Sequence, residues 1–166
     1  MNQTTIRKAT ISDLEIIQKI SIQTFVETFA EVNTVENMAN YIEENFNLEQ
    51  IASEINNPNS QFYLATLSSE VMGYLKINLG DAQTEIHSQQ AMEIHRIYVL
   101  KEFHGKKIGQ LLLDEAIKTE KKLELILFGL EFGKKIIEHY NFTPKMVLSN
   151  LTNIFLPWVT IYKPIC

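Results

Sequence analysis

The chain has 166 residues, enough for one domain around one core, and its 45% hydrophobic and 21% charged content is that of an ordinary globular protein. The net charge of −5 argues against a nucleic-acid footprint, which would be basic, and suits a cationic small molecule as partner. The one cysteine, Cys166, permits neither a disulfide nor a thiolate metal set, and the polar N-terminus does not read as a secretory leader, so a reducing cytoplasm is the expected compartment and no metal is expected.

Ile6 to Ala9 reads as a short first strand. Ser12-Asp13 with Glu15 marks a helix start, and Leu14, Ile17, Ile20 and Ile22 give that helix an apolar stripe. Thr34 caps a second helix through Tyr41, with Glu36 in its first turn where the helix dipole favours negative charge. Leu48 to Ile55 is a third helix, and Asn57-Pro58-Asn59 is a break. Gln61–Leu67 and Val71–Leu79 read as two strands of a hairpin turning at Ser68-Ser69-Glu70, followed by a polar loop from Gly80 to Gln89.

Residues 92–113, MEIHRIYVLKEFHGKKIGQLLL, are the most informative segment. The apolar run Met92–Leu100 reads as a buried strand. It passes through a basic turn bearing Gly105 and Gly109 into an amphipathic helix from about Ile108, with Leu111, Leu112, Leu113 and Ala116 apolar. A glycine-bearing turn opening a helix directs bare backbone N–H groups at one point, which makes a cradle for a pyrophosphate.

Strand, HGKKIG and helix together resemble the acetyl-CoA-binding motif of the GCN5-related N-acetyltransferases. That family writes the turn as Gln or Arg, two variable residues, Gly or Ala, a variable residue and Gly; here His104 stands in the Gln/Arg place, Lys107 in the first Gly/Ala place, and Gly109 is kept. TIRKATISDLEIIQKI resembles the family's first strand and helix. QTFVETFAEVNTVENMANYIEENFNLEQI and FYLATLSSEVMGYLKINLGDAQTE resemble the branch of PaiA-type polyamine acetyltransferases. The resemblance runs from Thr5 to about Leu123. It implies an α/β (α+β) fold of the GNAT type, a mixed central β-sheet flanked by helices, in a single domain over 1–166 with an atypical carboxy-terminal part. It implies acetyl-CoA as cosubstrate, a small amine such as spermidine or spermine as acceptor, and direct attack in a ternary complex. The net charge and the composition of the tail point to no nucleic-acid or membrane partner; the oligomeric state is left open, with a homodimer as one option because acetyltransferases of this family often dimerise.

By the same resemblance, the backbone of Ile97, Tyr98 and Val99 would hold the acetyl carbonyl and the pantetheine arm. The amides from Gly105 through Lys106, Lys107, Ile108 and Gly109 to Gln110 would take the pyrophosphate. His104 would contact phosphate only weakly unless its imidazole is protonated. Glu93 and His95, two apart on one strand, are expected to share a face, and either could accept the ammonium proton directly or through water; Arg96 is expected to face the other way. Phe25, Phe29 and Tyr41 could wall an amine site, since aromatic faces attract cations.

After about Leu125 the family pattern stops. Where it calls for a strand, a helix and a Tyr that protonates the departing thiolate, the chain reads LILFGLEFGKKIIEHYNFTPKMVLSNLTNIFLPWVTIYKPIC, with no charged residue between Met146 and Tyr162. Pro157 and the polar positions make it a poor membrane span, and it looks aggregation-prone. Read one frame off, the codons of this region permit the missing motif. Met146-Val147 then forces the Gly of the family's Asn-Gly-Phe, and His139-Tyr140 forces the Leu of its Ala-Leu-x-Phe-Tyr. A frameshift near residues 120–127 accounts for residues 124–166; the competing reading is a divergent tail in which Tyr140 supplies the acid. The tail's apolar runs Leu125–Leu130 and Ile154–Tyr162 are its strand candidates. Beside the transferase stand two other readings: a catalytically impaired acetyl-CoA-binding protein of the same fold, and an interaction protein that uses its apolar tail.

Overall fold

The structure is a computed structural model and describes residues 3–84, 89, 91–123 and 126–128, the last few (120–123 and 126–128) by their backbone. In chain order the elements are β1 (Thr5–Lys8), α1 (Leu14–Phe29), α2 (Val35–Asn45), α3 (Leu48–Asn56), β2 (Ser60–Leu67), β3 (Glu70–Leu79), β4 (Ala91–Val99), α4 (Ile108–Leu123) and β5 (Ile126–Phe128). They form one five-stranded sheet in the order β1-β2-β3-β4-β5. The first three pairings are antiparallel, and β5 runs parallel to β4. The sheet is therefore mixed, as expected, and β5 falls within the predicted run Leu125–Leu130; the run Ile154–Tyr162 lies outside the described residues.

Local chemistry sets the helix starts. The first helix begins with a 3-10 turn over Ile11–Asp13, one step before the predicted Ser12. Asp13 Oδ2 accepts from the Thr10 backbone N–H at 2.9 Å, and its carboxylate takes both Arg7 guanidinium nitrogens, at 2.9 and 2.6 Å. That hydrogen-bonded pair, with Thr10 adding to it, holds the Asp13 carboxyl down at about 2. Thr34 Oγ1 accepts from Asn37 N–H at the start of α2, as predicted, and Asn47 Oδ1 accepts from Gln50 N–H at the start of α3. α2 continues past Tyr41 to Asn45, because Ile42 packs on the core and Phe46, just after, is 2% exposed.

Successive strand residues face opposite sides of the sheet, and this sorts the layers. Phe62, Leu64, Tyr74 and Lys76 face α1–α3, as the ion pair from Lys76 to Glu54 of α3 requires. Tyr63 faces α4, its hydroxyl 3.4 Å from Thr119 Oγ1. α4 buries Ile108, Leu112 and Ala116 at i, i+4 and i+8; each large apolar side chain so removed from water contributes on the order of 2 kcal/mol.

Two bulges break the ladders. Between β3 and β4, Lys76 pairs with Arg96 and the next residue, Ile77, pairs with Ile94, so His95 is an extra residue on β4. Between β2 and β3, Ala65 pairs with Gly73 and Thr66 with Val71, which makes Met72 the extra residue there.

Candidate active site

The bulge corrects the expected face assignment. Glu93 pairs with Asn78, and Asn78 lies on the Lys76 face of β3, so Glu93 shares the face of Arg96 instead of opposing it. His95 is the inserted residue that causes the change. Glu93 is 5% exposed and both of its oxygens are engaged. Oε2 accepts from Asn78 Nδ2 at 3.1 Å and from Thr84 N–H at 3.0 Å, and Oε1 accepts from the Thr84 hydroxyl at 2.5 Å.

The same face carries a buried charge network. Glu54 bridges two cations, Lys76 Nζ at 2.8 Å and Arg96 Nη1 at 3.0 Å, and these cations are 3% and 4% exposed. Burial pushes the Glu54 carboxyl up, but Arg96 and then Lys76 outweigh it and hold it below its ordinary range. Burial, followed by repulsion from Arg96, brings Lys76 down to about 7 in spite of Glu54 and Glu93. Burial also lifts the Tyr74 phenol to about 12, and the Tyr98 phenol well above its usual value. Nothing in the sequence reading assigned a role to Glu54, Lys76 or Arg96. Their only signal was a lone cation in each of two apolar strands, and the register that puts them opposite each other is not written in either strand.

Phe25, Phe29 and Tyr41 do come together. Phe25 stacks on Tyr41 with centroids 4.3 Å apart, Phe29 follows at 5.0 Å, and Phe46 closes the group at 5.5 Å from Phe25. All four are buried. The cation held by this cluster is the chain's own Arg96, 5.1 Å from the Phe46 centroid.

On the other side of the bulge, β4 offers an edge. β5 pairs with Ala91, Met92 and Glu93. Leu100 N–H bonds to Met72 O at 2.9 Å, which fixes the phase of the antiparallel ladder above the bulge. Tyr98 and Arg96 turn their backbone groups to β3, whereas Ile97 and Val99 turn theirs to the outer edge. Of the three residues predicted to hold an extended arm through the backbone, Ile97 and Val99 are in phase for it, and Tyr98 is not.

The turn beyond β4 has the shape an anion requires. Gly105 has φ +77°, and a side chain there would meet nothing within 4 Å, so the backbone lies open. Lys107 has φ +62°, the left-handed geometry in a residue that disfavours it. The cradle thus keeps its conformation at the position where the family pattern has Gly or Ala. Ile108 sends its side chain into the core, 3% exposed, while the first-turn amides of Ile108, Gly109 and Gln110 have no acceptor inside the helix. The first turn of α4 has no acidic residue, whereas α1, α2 and α3 carry Glu15, Glu36 and Glu49 there. Lys106 Nζ rests 4.6 Å from the Phe103 ring centroid, and Gln110 Nε2 donates to Asp114 Oδ1. His104, at the place of the family's Gln or Arg, has its Nε2 2.9 Å from the Val99 carbonyl. An outward strand edge, two left-handed residues and a helix N-terminus free of acid fit an acyl-pantetheine arm joined to a diphosphate.

Tyr140 lies outside the described residues. Among the described residues no cluster of His, Cys, Asp and Glu is disposed to hold a metal, and no helix is long and apolar enough to cross a membrane.

Known proteins agree with this geometry. The acetyltransferase (GNAT) family model matches residues 23–131. The chain is 36% identical over 125 residues to an uncharacterized N-acetyltransferase from the pepI 3′ region of Lactobacillus delbrueckii subsp. lactis, covering 75% of this chain and 67% of that protein. It is 31% identical over 121 residues to the spermidine N(1)-acetyltransferase of Thermoplasma acidophilum, covering 70% of each. The crystal structure of PaiA N-acetyltransferase from Thermoplasma acidophilum in complex with coenzyme A superposes with a TM-score of 0.63 and 28% identity, over 72% of this chain and 73% of that one. With sheet, edge and cradle in place and relatives of this kind, the chain belongs to the acetyltransferase (GNAT) family and is an N-acetyltransferase.

Proposed function

We propose that the chain acetylates a small primary amine, with polyamines such as spermidine and spermine as the acceptor class, acting as a one-domain cytoplasmic enzyme and assembling as a homodimer. The acetyl donor is acetyl-CoA, which supplies an activated thioester for direct attack by the free amine in a ternary complex. The observation that carries the reading is the outward edge at Ile97 and Val99 leading into the left-handed turn of Gly105 and Lys107. The polyamine finds support in the spermidine acetyltransferase among the relatives and in the net charge of −5.

Each part of the chain has a role in this scheme. Ile97 and Val99 hold the arm through their outward backbone groups. The amides from Gly105 to Gln110 bind the diphosphate, and Lys106 and Lys107 add positive charge beside it. A neutral amine is the nucleophile, so a base must take the ammonium proton. Glu93 and His95 are the two candidates, and Glu93 is held in place by three hydrogen bonds. The proton returned to the departing thiolate falls to the tail, where Tyr140 is the candidate in the chain as written. The frameshift is our reading of residues 124–166, argued from codons that permit the missing motif one frame off.

The test is thiol release from acetyl-CoA on adding spermidine, spermine or simple monoamines, with calorimetry for coenzyme A and intact mass to identify the translated frame. Polyamine-dependent release with a higher kcat/KM than monoamines is the expected result. Coenzyme A binding without release for any amine would leave the impaired cofactor-binding protein as the better account. A mass-verified chain that does not bind coenzyme A would remove the whole reading.

A further inference from the structure

His104 stands where the turn meets the strand, and its bond has a definite direction. A backbone carbonyl can only accept, so the contact between His104 Nε2 and Val99 O at 2.9 Å requires Nε2 to carry the proton. In a neutral ring Nδ1 is then an acceptor and offers nothing to a phosphate. The ladder phase set by Leu100 N–H on Met72 O turns the Val99 carbonyl to the outer edge of β4. The same carbonyl has a second lone pair for an amide N–H of the arm. Within the turn the backbone bonds are short-range: Phe103 N–H to Leu100 O, His104 N–H to Lys101 O, and Lys106 N–H to Phe103 O. The His104 side chain reaches back five residues, beyond all of these, to the arm-binding strand.

We propose that His104 is a positioning residue, a strut from the phosphate turn to the Val99 carbonyl that fixes the distance between the arm subsite and the diphosphate subsite. The inference rests on the proposed placement of acetyl-CoA along β4 and the turn. Glu27 of α1 also holds the start of this connection, its Oε2 accepting from Lys101 N–H at 2.8 Å. When two linked halves of a ligand bind at once, the affinity of the whole depends on the spacing between their sites, and the affinity of each half alone does not. Loss of the strut therefore weakens the intact coenzyme and spares its fragments.

The experiment is calorimetry on the full chain with coenzyme A, and with pantetheine and 3′-phospho-ADP as separate probes, for the parent, His104→Ala and His104→Gln. Removing one net hydrogen bond should weaken coenzyme A about three- to tenfold in His104→Ala. Both fragments should bind as they do to the parent, and His104→Gln, which keeps a side-chain N–H donor, should recover most of the loss. Thermal melts establish that each variant is folded, and the Gln variant carries the test if the Ala variant is not. Equal losses for coenzyme A and for either fragment would overturn the strut, as would an unchanged coenzyme A affinity in His104→Ala. Failure of the parent to bind coenzyme A is a different result, visible before any variant is made, and it would overturn the cofactor placement itself.

Discussion

Lys76→Met should stabilise the protein at neutral pH, although it removes a buried ion pair. Glu54 faces two buried cations, with Lys76 at 2.8 Å and Arg96 at 3.0 Å, so one carboxylate compensates two charges taken out of water. The fall of Lys76 from 10.5 to about 7 corresponds to about 5 kcal/mol against the charged form, at about 1.4 kcal/mol per tenfold change in proton affinity. Met keeps most of the apolar stem that lies by Phe62, and Glu54 keeps both of its contacts with Arg96. That shift already includes the attraction of Glu54, and replacing a buried charge by an apolar side chain of similar volume is expected to gain about 1–3 kcal/mol. The converse substitution, Glu54→Gln, strands both cations and should cost about 3–5 kcal/mol.

The pH dependence isolates the lysine. Below about 7 the folded and unfolded chains both carry the proton on Lys76, and the full cost of burying an ammonium is present. Between about 7 and 10.5 the unfolded chain holds the extra proton, so stability rises with pH. Above that range both states are neutral and the cost is gone. Urea unfolding of parent and Lys76→Met across this window should give a margin that is largest at the acid end and shrinks toward the alkaline end. A variant less stable than its parent at neutral pH, or a margin that ignores pH, would refute the claim that this charge is a net cost.

Lys107→Gly should raise stability by about 1 kcal/mol in thermal melts, because φ +62° strains a residue with a Cβ; an unchanged or lower melting temperature would count against that strain. Gly73→Ala puts a Cβ 2.7 Å from the Tyr98 carbonyl and 3.2 Å from Val99 Cγ2. It should cost about 1–3 kcal/mol in urea unfolding and raise the KM for acetyl-CoA by shifting the arm-binding strand. Asp13→Asn should cost about 1–2 kcal/mol at neutral pH, a figure reduced because Arg7 is 45% exposed. Since the Asp13 carboxyl sits at about 2, its contribution is present above about 4 and is lost as pH falls toward 2, so parent and variant should converge in acid.

The elements were legible because each carries its own local signal. The apolar runs of β2, β3 and β4 are bounded by polar turns, and the stripe Ile108, Leu112, Ala116 repeats at helical spacing. The Thr34 cap was readable because a side-chain oxygen before a helical stretch has one common use. Thr10 was missed because its partner Asp13 closes a 3-10 turn in front of the helix, so the chain turns one residue earlier than the Ser12-Asp13 pair suggests. The cradle was legible from Gly105 and Gly109, yet the strained position is Lys107, whose identity argues against a left-handed backbone. Only its neighbours, a strand that ends and a helix that begins within a few residues, force it there.

The faces of β4 were not legible, since they depend on one inserted residue. Simple alternation puts Glu93 with His95 and against Arg96; the extra residue at His95 reverses this and moves Glu93 beside Asn78, on the face of Lys76 and Arg96. A bulge has no side-chain signature within its own strand, because it is defined by the register of the partner, here the step from Lys76 to Ile77. Deleting His95 therefore tests the arrangement in a way that replacing it does not. With the extra residue gone, plain alternation along Glu93-Ile94-Arg96 keeps Glu93 and Arg96 on one face, opposite Asn78 and Lys76. No buried charge has to change layers, so the deletion should stay folded by circular dichroism, as should His95→Ala. If His95 were instead a regular position of the ladder, its deletion would send Glu93 or Arg96 to the opposite layer, and an uncompensated buried charge costs several kcal/mol, comparable with the whole stability of a domain this size. A deletion variant that unfolds while the Ala variant stays folded would therefore refute the bulge and the shared face of Glu93, Lys76 and Arg96.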